Sequence, residues 1–480
     1  MNLNRPVFRM LSEEKCYEIH LKSLELLERV GMLVQDEKAL SLLKEAGCFV
    51  SSDNRVKVPP SLIKKALSTV PERVVLCNRD GERVMFLESD KVYFGTGSDT
   101  PFTIDPFKRV RRKTVKEDVA NWAKLCDALP NIDFVMSMGI ASDVPSHSSY
   151  VHQFEAMVKS TRKPIVFTAN NGEDIEVIYR IAVTVAGSEE RLRERPFILL
   201  YAEPIEPLIC SKMSMEKLLF CAERGIPALF APGILTGGTA VVTSAGALVQ
   251  ANAEMLMGIL ISQLKREGAP MVYGGGIISM DMRSCIGAYS GPEQRARFCA
   301  MADMAHFYRL PVFDLAGASD SLEFDAQAGA EATFSLLLSA LSGANLIHDV
   351  GYLESGLTSS GEMILFCDEI IDMVKRFLKG IEVNEETLAI DVMERVGPGG
   401  HFLQDEHTLR HFKDEIWHPR FLNRDRYEVW VEKGGIKLED KLNKEVREIL
   451  RKHQVPPLPD DVSKEISKIV SEYDKCGVKT

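Results

Sequence analysis

The stretch PFILLYAEP (196–204) starts at a proline, runs through apolar residues and closes on polar ones. The same type of run recurs along the chain as VYFGTG (92–97), DFVMSMG (133–139), PIVFTAN (164–170), PALFAPG (227–233), PMVYGGG (270–276), PVFDLAG (311–317) and NLIHDVG (345–351). Successive runs lie roughly 30 to 43 residues apart, room for one helix and two loops, which is the period of a βα unit. Eight such units predict an α/β fold of the (β/α)8 TIM-barrel class, in which chemistry sits at the carboxyl ends of the strands.

Working outward, the intervals carry helical patterns at 116–129, 149–160, 173–187, 214–225, 245–264, 292–308, 326–343 and 362–380, each closing near Gly or Pro. With 480 residues, the chain exceeds the about 250 of a typical barrel. The spacing therefore predicts three parts: an N-terminal helical and hairpin extension over 1–85, the barrel over 86–395, and a mostly helical extension over 396–480. In the first, Ser12 is placed to cap a helix, Pro60 to start another, and Asp80-Gly81 to turn a hairpin.

Apolar content of 45% and charged content of 26% are those of a globular protein. No apolar run approaches the roughly 20 residues needed to cross a bilayer, and the first residues lack a secretory pattern, so the expected location is the cytoplasm. The net charge of −11 argues against nucleic-acid binding. One basic cluster, KRVRRK (108–113), reads either as a solvated loop or as a local contact. The 10 cysteines form no CxxC pair, so neither a disulfide framework nor a thiolate zinc site is expected.

Residues two apart on a strand share a face, which brings Tyr201 and Glu203 together at one strand end. His348 lies in the last run, with Asp349 expected on the opposite side, and Asp320 follows the seventh. Asp314, inside that run, suits either a structural or a functional role. Gly274, Gly275 and Gly276 would open space for a large cofactor but lack a phosphate-loop pattern. Tyr93, Phe94, Tyr201, Tyr273, Tyr289 and Tyr352 fall near strand ends, where several aromatic rings could cage a quaternary ammonium. His407 and His411 are i, i+4 on an expected helix, but Thr408 stands where an HExxH zinc site needs Glu, so no bound metal is expected.

The segments YAEPIEPL (201–208), GALVQANAEMLMGI (246–259), SLLLSALSGANLIHDVGYLESGLTSS (335–360), DEIIDMVKRFLKGIEV (368–383) and VGPGGHFLQDEHTLRHF (396–412) resemble the trimethylamine methyltransferase family. The resemblance spans the barrel and the tail, and is looser in the N-terminal third. Founding members of that family carry pyrrolysine. This chain has standard residues throughout and so resembles the non-pyrrolysine branch, whose substrates are quaternary amines such as glycine betaine, proline betaine and carnitine.

The resemblance implies transfer of one N-methyl group to cob(I)alamin carried by a separate small corrinoid protein. Glycine betaine, giving dimethylglycine, is the preferred donor, and proline betaine or carnitine are the alternatives. On this reading His348 anchors the substrate carboxylate, and Tyr201, Tyr93, Phe94 and Tyr352 form the cage. Glu203 and Asp320 orient these groups, while Gly274, Gly275 and Gly276 clear the corrin ring. A homodimer through the histidine-rich tail is a further expectation. Two readings from other classes compete: a barrel lyase, weakened because no Lys ends a strand run, and a non-catalytic betaine-binding protein.

Overall fold

The computed structural model describes residues 6–476. Seven of the eight apolar runs form one parallel sheet, with strands Tyr93–Phe94, Ile165–Phe167, Ile198–Ala202, Ala228–Phe230, Met271–Gly274, Val312–Leu315 and Leu346–His348. Neighbours in the sheet follow chain order, and Leu346–His348 lies beside Tyr93–Phe94.

The run at 133–139 departs from the expected regular strand. It makes isolated parallel bridges, Phe134 to Gly95 and Val135 to Ile165, and so touches both outer strands of the sheet. Side chains have taken over the backbone groups a ladder would use: the Thr96 hydroxyl donates to Met136 O at 3.1 Å and accepts from Met136 N at 2.9 Å. Asp133 likewise accepts from Phe94 N at 2.9 Å.

A helix follows every run, from Lys116–Ala128 to Gly361–Leu378. Strand alternation divides the apolar residues in two. Phe134, Met136, Val166, Leu199, Leu229, Val272, Phe313 and Leu346 pack inside the sheet, whereas their neighbours, among them Phe94, Leu200 and Ile347, pack against the helices. Burying each such side chain contributes about 1.5–3 kcal/mol.

The hairpin Val74–Cys77 with Arg83–Leu87 turns at Asp80-Gly81 as its sequence predicts, and inserts Val74, Leu76, Met85 and Leu87 into the inner cluster. It thus closes the end of the sheet away from the strands' carboxyl termini. The strand Met32–Val34 of the N-terminal extension pairs in parallel with Ile209–Cys210, fixing the loop that follows Glu203.

Two features differ from the sequence reading. The helix Ser244–Lys265, 22 residues long, does reach membrane-spanning length and hydropathy, but 72% of its apolar window is buried within the protein. The basic cluster makes ion pairs, and one of its residues, Arg109, reaches the helical tail. Arg109 pairs with Glu439 and with Asp440 (2.9 Å), Arg111 with Glu354 (2.7 Å), and Arg112 with Asp118 (2.6 Å). The cluster stays on the surface, and its three arginines make ion pairs within the chain.

Gly274 has a φ of +142°, and a Cβ there would overlap the Phe313 carbonyl oxygen of the adjacent strand. Gly274→Ala is therefore expected to cost about 3 kcal/mol or more and to lower the melting temperature by several degrees. Thermal unfolding followed by circular dichroism checks this; an unchanged melt contradicts the packing.

Candidate functional site

At the carboxyl end of Ile198–Ala202, the Tyr201 hydroxyl donates to Glu203 Oε1, as the two-residue spacing predicts. Across the mouth, His348 stacks on Phe313 with ring centroids 4.1 Å apart and lies 6.2 Å from Tyr201.

Asp349 does not take the opposite side. Its φ of +72° breaks the strand alternation, so both His348 and Asp349 turn to the mouth. Asp349 Oδ1 lies 2.5 Å from His348 Nδ1, without the alignment of a hydrogen bond, and Oδ2 accepts from the Tyr289 hydroxyl at 2.8 Å. The Tyr352 hydroxyl donates to Ser98 O. Tyr201, Tyr289 and Tyr352 thus gather with Glu203 and Asp349, and the phenol of each is pushed well above its ordinary range by burial and by these carboxylates.

Beside Tyr201 and Glu203 opens a cavity of about 200 Å³ that Asp99, Tyr150 and Lys217 also line. Glu203 faces this space and reaches solvent through it, yet protein surrounds it on the remaining sides; burial raises its carboxyl pKa and the Tyr201 hydrogen bond partly offsets that. Asp99 is pushed up from 3.8 to about 7, by burial first and the Glu203 charge second, against the opposing Ser98 hydrogen bond. Burial lowers the Lys217 ammonium pKa, which the charges of Glu203, Asp99 and Asp174 hold up.

Asp99, Tyr150 and Lys217 had no assigned role in the sequence reading, and Tyr289 stood only among the rings that could cage a cation. Asp99 lies two residues past VYFGTG, so its place beyond a strand end was available as a signal. Tyr150 and Lys217 sit on helices that turn toward the mouth, and nothing in their local sequence marks them.

Other expected site residues lie elsewhere. Tyr93 packs with the inner cluster at the hairpin end, where its hydroxyl accepts from Phe86 N at 3.1 Å. Phe94 is fully buried on the helix side of its strand. Neither reaches the mouth: Tyr93 and Phe94 make up the whole of their short strand, which pairs beside Leu346 and Ile347, before His348. Asp320 accepts from Tyr289 N (2.7 Å), Ser290 N (3.0 Å) and the Ser355 hydroxyl (2.8 Å), so it holds the loop that presents Tyr289. Gly274 and Gly275 meet Phe313 and Pro232 of adjoining segments, and this close packing accounts for both without a ligand; Gly276 alone has open space.

His407 and His411 do share a helix face, 4.3 Å apart between ring centroids. The carboxylate missing from their local sequence comes from Glu386, whose Oε1 is 2.9 Å from His411 Nε2; Arg410 holds the same oxygen at 3.1 Å. The ligand atoms of Glu386, His407 and His411 fall within 4.8 Å of one another, a grouping that the HExxH test did not address.

Residues 1–475 match the family described as Trimethylamine methyltransferase (MTTB). A trimethylamine methyltransferase of Desulfitobacterium hafniense is 33% identical over 469 residues, 97% of this chain and 94% of that protein. One from Methanosarcina barkeri is 34% identical over 482 residues, 99% and 97% of the two chains. A glycine betaine methyltransferase of Desulfitobacterium hafniense is 29% identical over 474 residues, 98% of each. The crystal structure of the Methanosarcina barkeri monomethylamine methyltransferase is similar in fold, with a TM-score of 0.50 at 13% identity over 92% of this chain and 94% of that one.

Proposed function

The chain belongs to the trimethylamine methyltransferase (MTTB) family, and we propose that it demethylates a quaternary amine, with glycine betaine the preferred donor and cob(I)alamin on a separate corrinoid protein the methyl acceptor. The observation that carries this reading is the convergence of Tyr201, Tyr289 and Tyr352 with Glu203 and Asp99 on one mouth: aromatic rings and carboxyl groups suit a cation. We also read residues 134–135 as the stave that completes a closed (β/α)8 barrel, which makes this mouth a single opening.

In the proposed reaction the C–N bond breaks, its electron pair stays on nitrogen, and the methyl group passes to the acceptor. A quaternary donor leaves as a neutral tertiary amine, so no general acid is required. The work of the protein is to orient one methyl group toward the opening, exclude water, and bind the cation without favouring it over the transition state. Tyr201, Glu203, His348 and Tyr352 remain the proposed substrate contacts, now joined by Tyr289. Tyr93 and Phe94 serve the barrel's packing, and Asp320 positions Tyr289.

An acceptor carried on another protein needs a docking face. The loops around the mouth expose Val241, Val242, Met282, Ile286, Leu322 and Leu357, apolar residues of the kind that mark protein-binding surfaces. The start of the tail and the segment leading into it present a second such face with Ile381, Ile390 and Leu403, where we place a homodimer contact. The cytoplasm is the compartment we propose.

The decisive experiment mixes the protein with reduced cob(I)alamin and, separately, glycine betaine, proline betaine, carnitine, choline and trimethylamine, following the absorbance change on corrinoid methylation. Glycine betaine is expected to support the fastest change. No change with any donor ends this reading, and activity confined to trimethylamine would replace the quaternary substrate with a tertiary one.

A further inference from the structure

We infer that Lys217 is a carboxylate receptor, so that the cavity selects quaternary amines that carry a carboxylate over those that are purely cationic. This deepens the proposed function and rests on its premise that a quaternary amine occupies this cavity. Lys217 lies on the helix Lys212–Arg224 and lines the same cavity as Tyr201 and Glu203. An ammonium carries three donors. Among the described residues its one hydrogen bond is to Ala169 O at 2.7 Å, and no carboxylate pairs with it.

The nearby acids are engaged elsewhere. Glu203 accepts from the Tyr201 hydroxyl, Asp99 from the Ser98 hydroxyl at 3.1 Å, and Asp174 from Asn170 N at 2.9 Å and the Tyr473 hydroxyl at 2.8 Å. A largely buried cation is thereby left with donors to offer at a cavity wall, and an unpaired buried charge is costly unless something completes it. A ligand carboxylate does so. The charges of Glu203, Asp99 and Asp174 oppose the lowering of the ammonium pKa by burial, and their field would disfavour a ligand that is purely anionic.

The ligand's opposite charge belongs with Tyr201 and Glu203, so the cavity wall offers both halves of a zwitterion. A space of about 200 Å³ is smaller than the roughly 300–1,000 Å³ of sites for drug-sized ligands, and suits a small N-methylated amino acid. His348 is the less suitable anchor. Its Nδ1 already faces Asp349 Oδ1 at 2.5 Å, and it does not line this cavity.

Titration calorimetry on the whole chain tests the inference, with glycine betaine, choline and tetramethylammonium as ligands and Lys217→Met and Lys217→Arg as variants. Wild type is expected to bind glycine betaine at least about tenfold more tightly than choline. Lys217→Met should lose about 30-fold for glycine betaine and change by less than about threefold for choline and tetramethylammonium, with Lys217→Arg restoring part of the loss. Unchanged betaine binding by a Lys217→Met protein that still binds choline overturns the receptor role alone. Equal wild-type affinities for glycine betaine and choline overturn it without any variant, even if Lys217→Met does not fold. If wild type binds none of the three, the quaternary-amine reading falls and the receptor role with it.

Discussion

Glu203→Gln is expected to raise KM for a quaternary amine by about 10²-fold while leaving kcat unchanged or higher. Two unit charges about 4 Å apart near a protein surface attract by about 4 kcal/mol, about 10³-fold at 1.4 kcal/mol per factor of ten, and solvent reaching Glu203 reduces this to about 10²-fold. The amide keeps the shape and an oxygen for the Tyr201 hydroxyl, so the variant should fold as wild type does. What it removes is charge. In the proposed transfer the positive charge on nitrogen declines toward the transition state, so a fixed carboxylate stabilises bound substrate more than the reacting complex. Its loss then appears in KM rather than kcat. Steady-state kinetics against the donor separate the two, and a large fall in kcat at constant KM would show that Glu203 acts on the reaction itself.

Asp99 should add a pH dependence to the same parameter. Its carboxyl is held near 7, so the mouth gains negative charge as pH rises through that value. KM for a cationic head should accordingly fall between about pH 6 and 8, and Asp99→Asn should flatten that limb. The linkage to stability runs the other way. Between 3.8 and about 7 the folded protein holds a proton that the unfolded chain has released, so Asp99 makes stability decline as pH rises through this window. The same Asn variant should remove that decline.

The order of strands and helices was legible because burial imposes it: a period of 2 in the runs, 3.6 between them, and caps at the joints. The second strand was not, since the side chains of Thr96 and Asp133 supply hydrogen bonds that the apolar pattern at 133–139 does not reveal. At the site, pairing Tyr201 with Glu203 followed from strand alternation alone. The same rule misplaced Asp349, where a left-handed backbone turns the chain after His348. It also could not say at which level of the sheet a residue sits: Tyr93 and Phe94 form a short strand whose Tyr93 lies at the hairpin end. Tyr150 and Lys217 reach the mouth from helices, so only the packing of helix on sheet reveals them. The local motif at His407 and His411 was likewise silent on Glu386, a carboxylate brought in from another helix.

Asp314 supplies the second large effect. Arg295→Met is expected to destabilise the fold by about 3–5 kcal/mol while leaving KM and kcat per folded molecule within about twofold of wild type. Phe313 points into the sheet, so Asp314 on the next position faces the helix Pro292–Tyr308, where Arg295 Nη2 lies 2.7 Å from each carboxylate oxygen. Both groups are almost completely buried, at 1% and 4% exposure, and Arg295 also donates to Leu315 O. Removing the guanidinium strands a carboxylate in the helix layer, whereas replacing both partners removes the charge problem itself. The double variant Arg295→Met with Asp314→Leu should therefore recover much of the lost stability, a non-additivity that distinguishes a buried pair from two independent packing residues. Thermal melts of the two single variants and the double variant, each assayed for methyl transfer, decide the matter. Activity lost in Arg295→Met without loss of stability would move Asp314 from the framework of the fold into its chemistry.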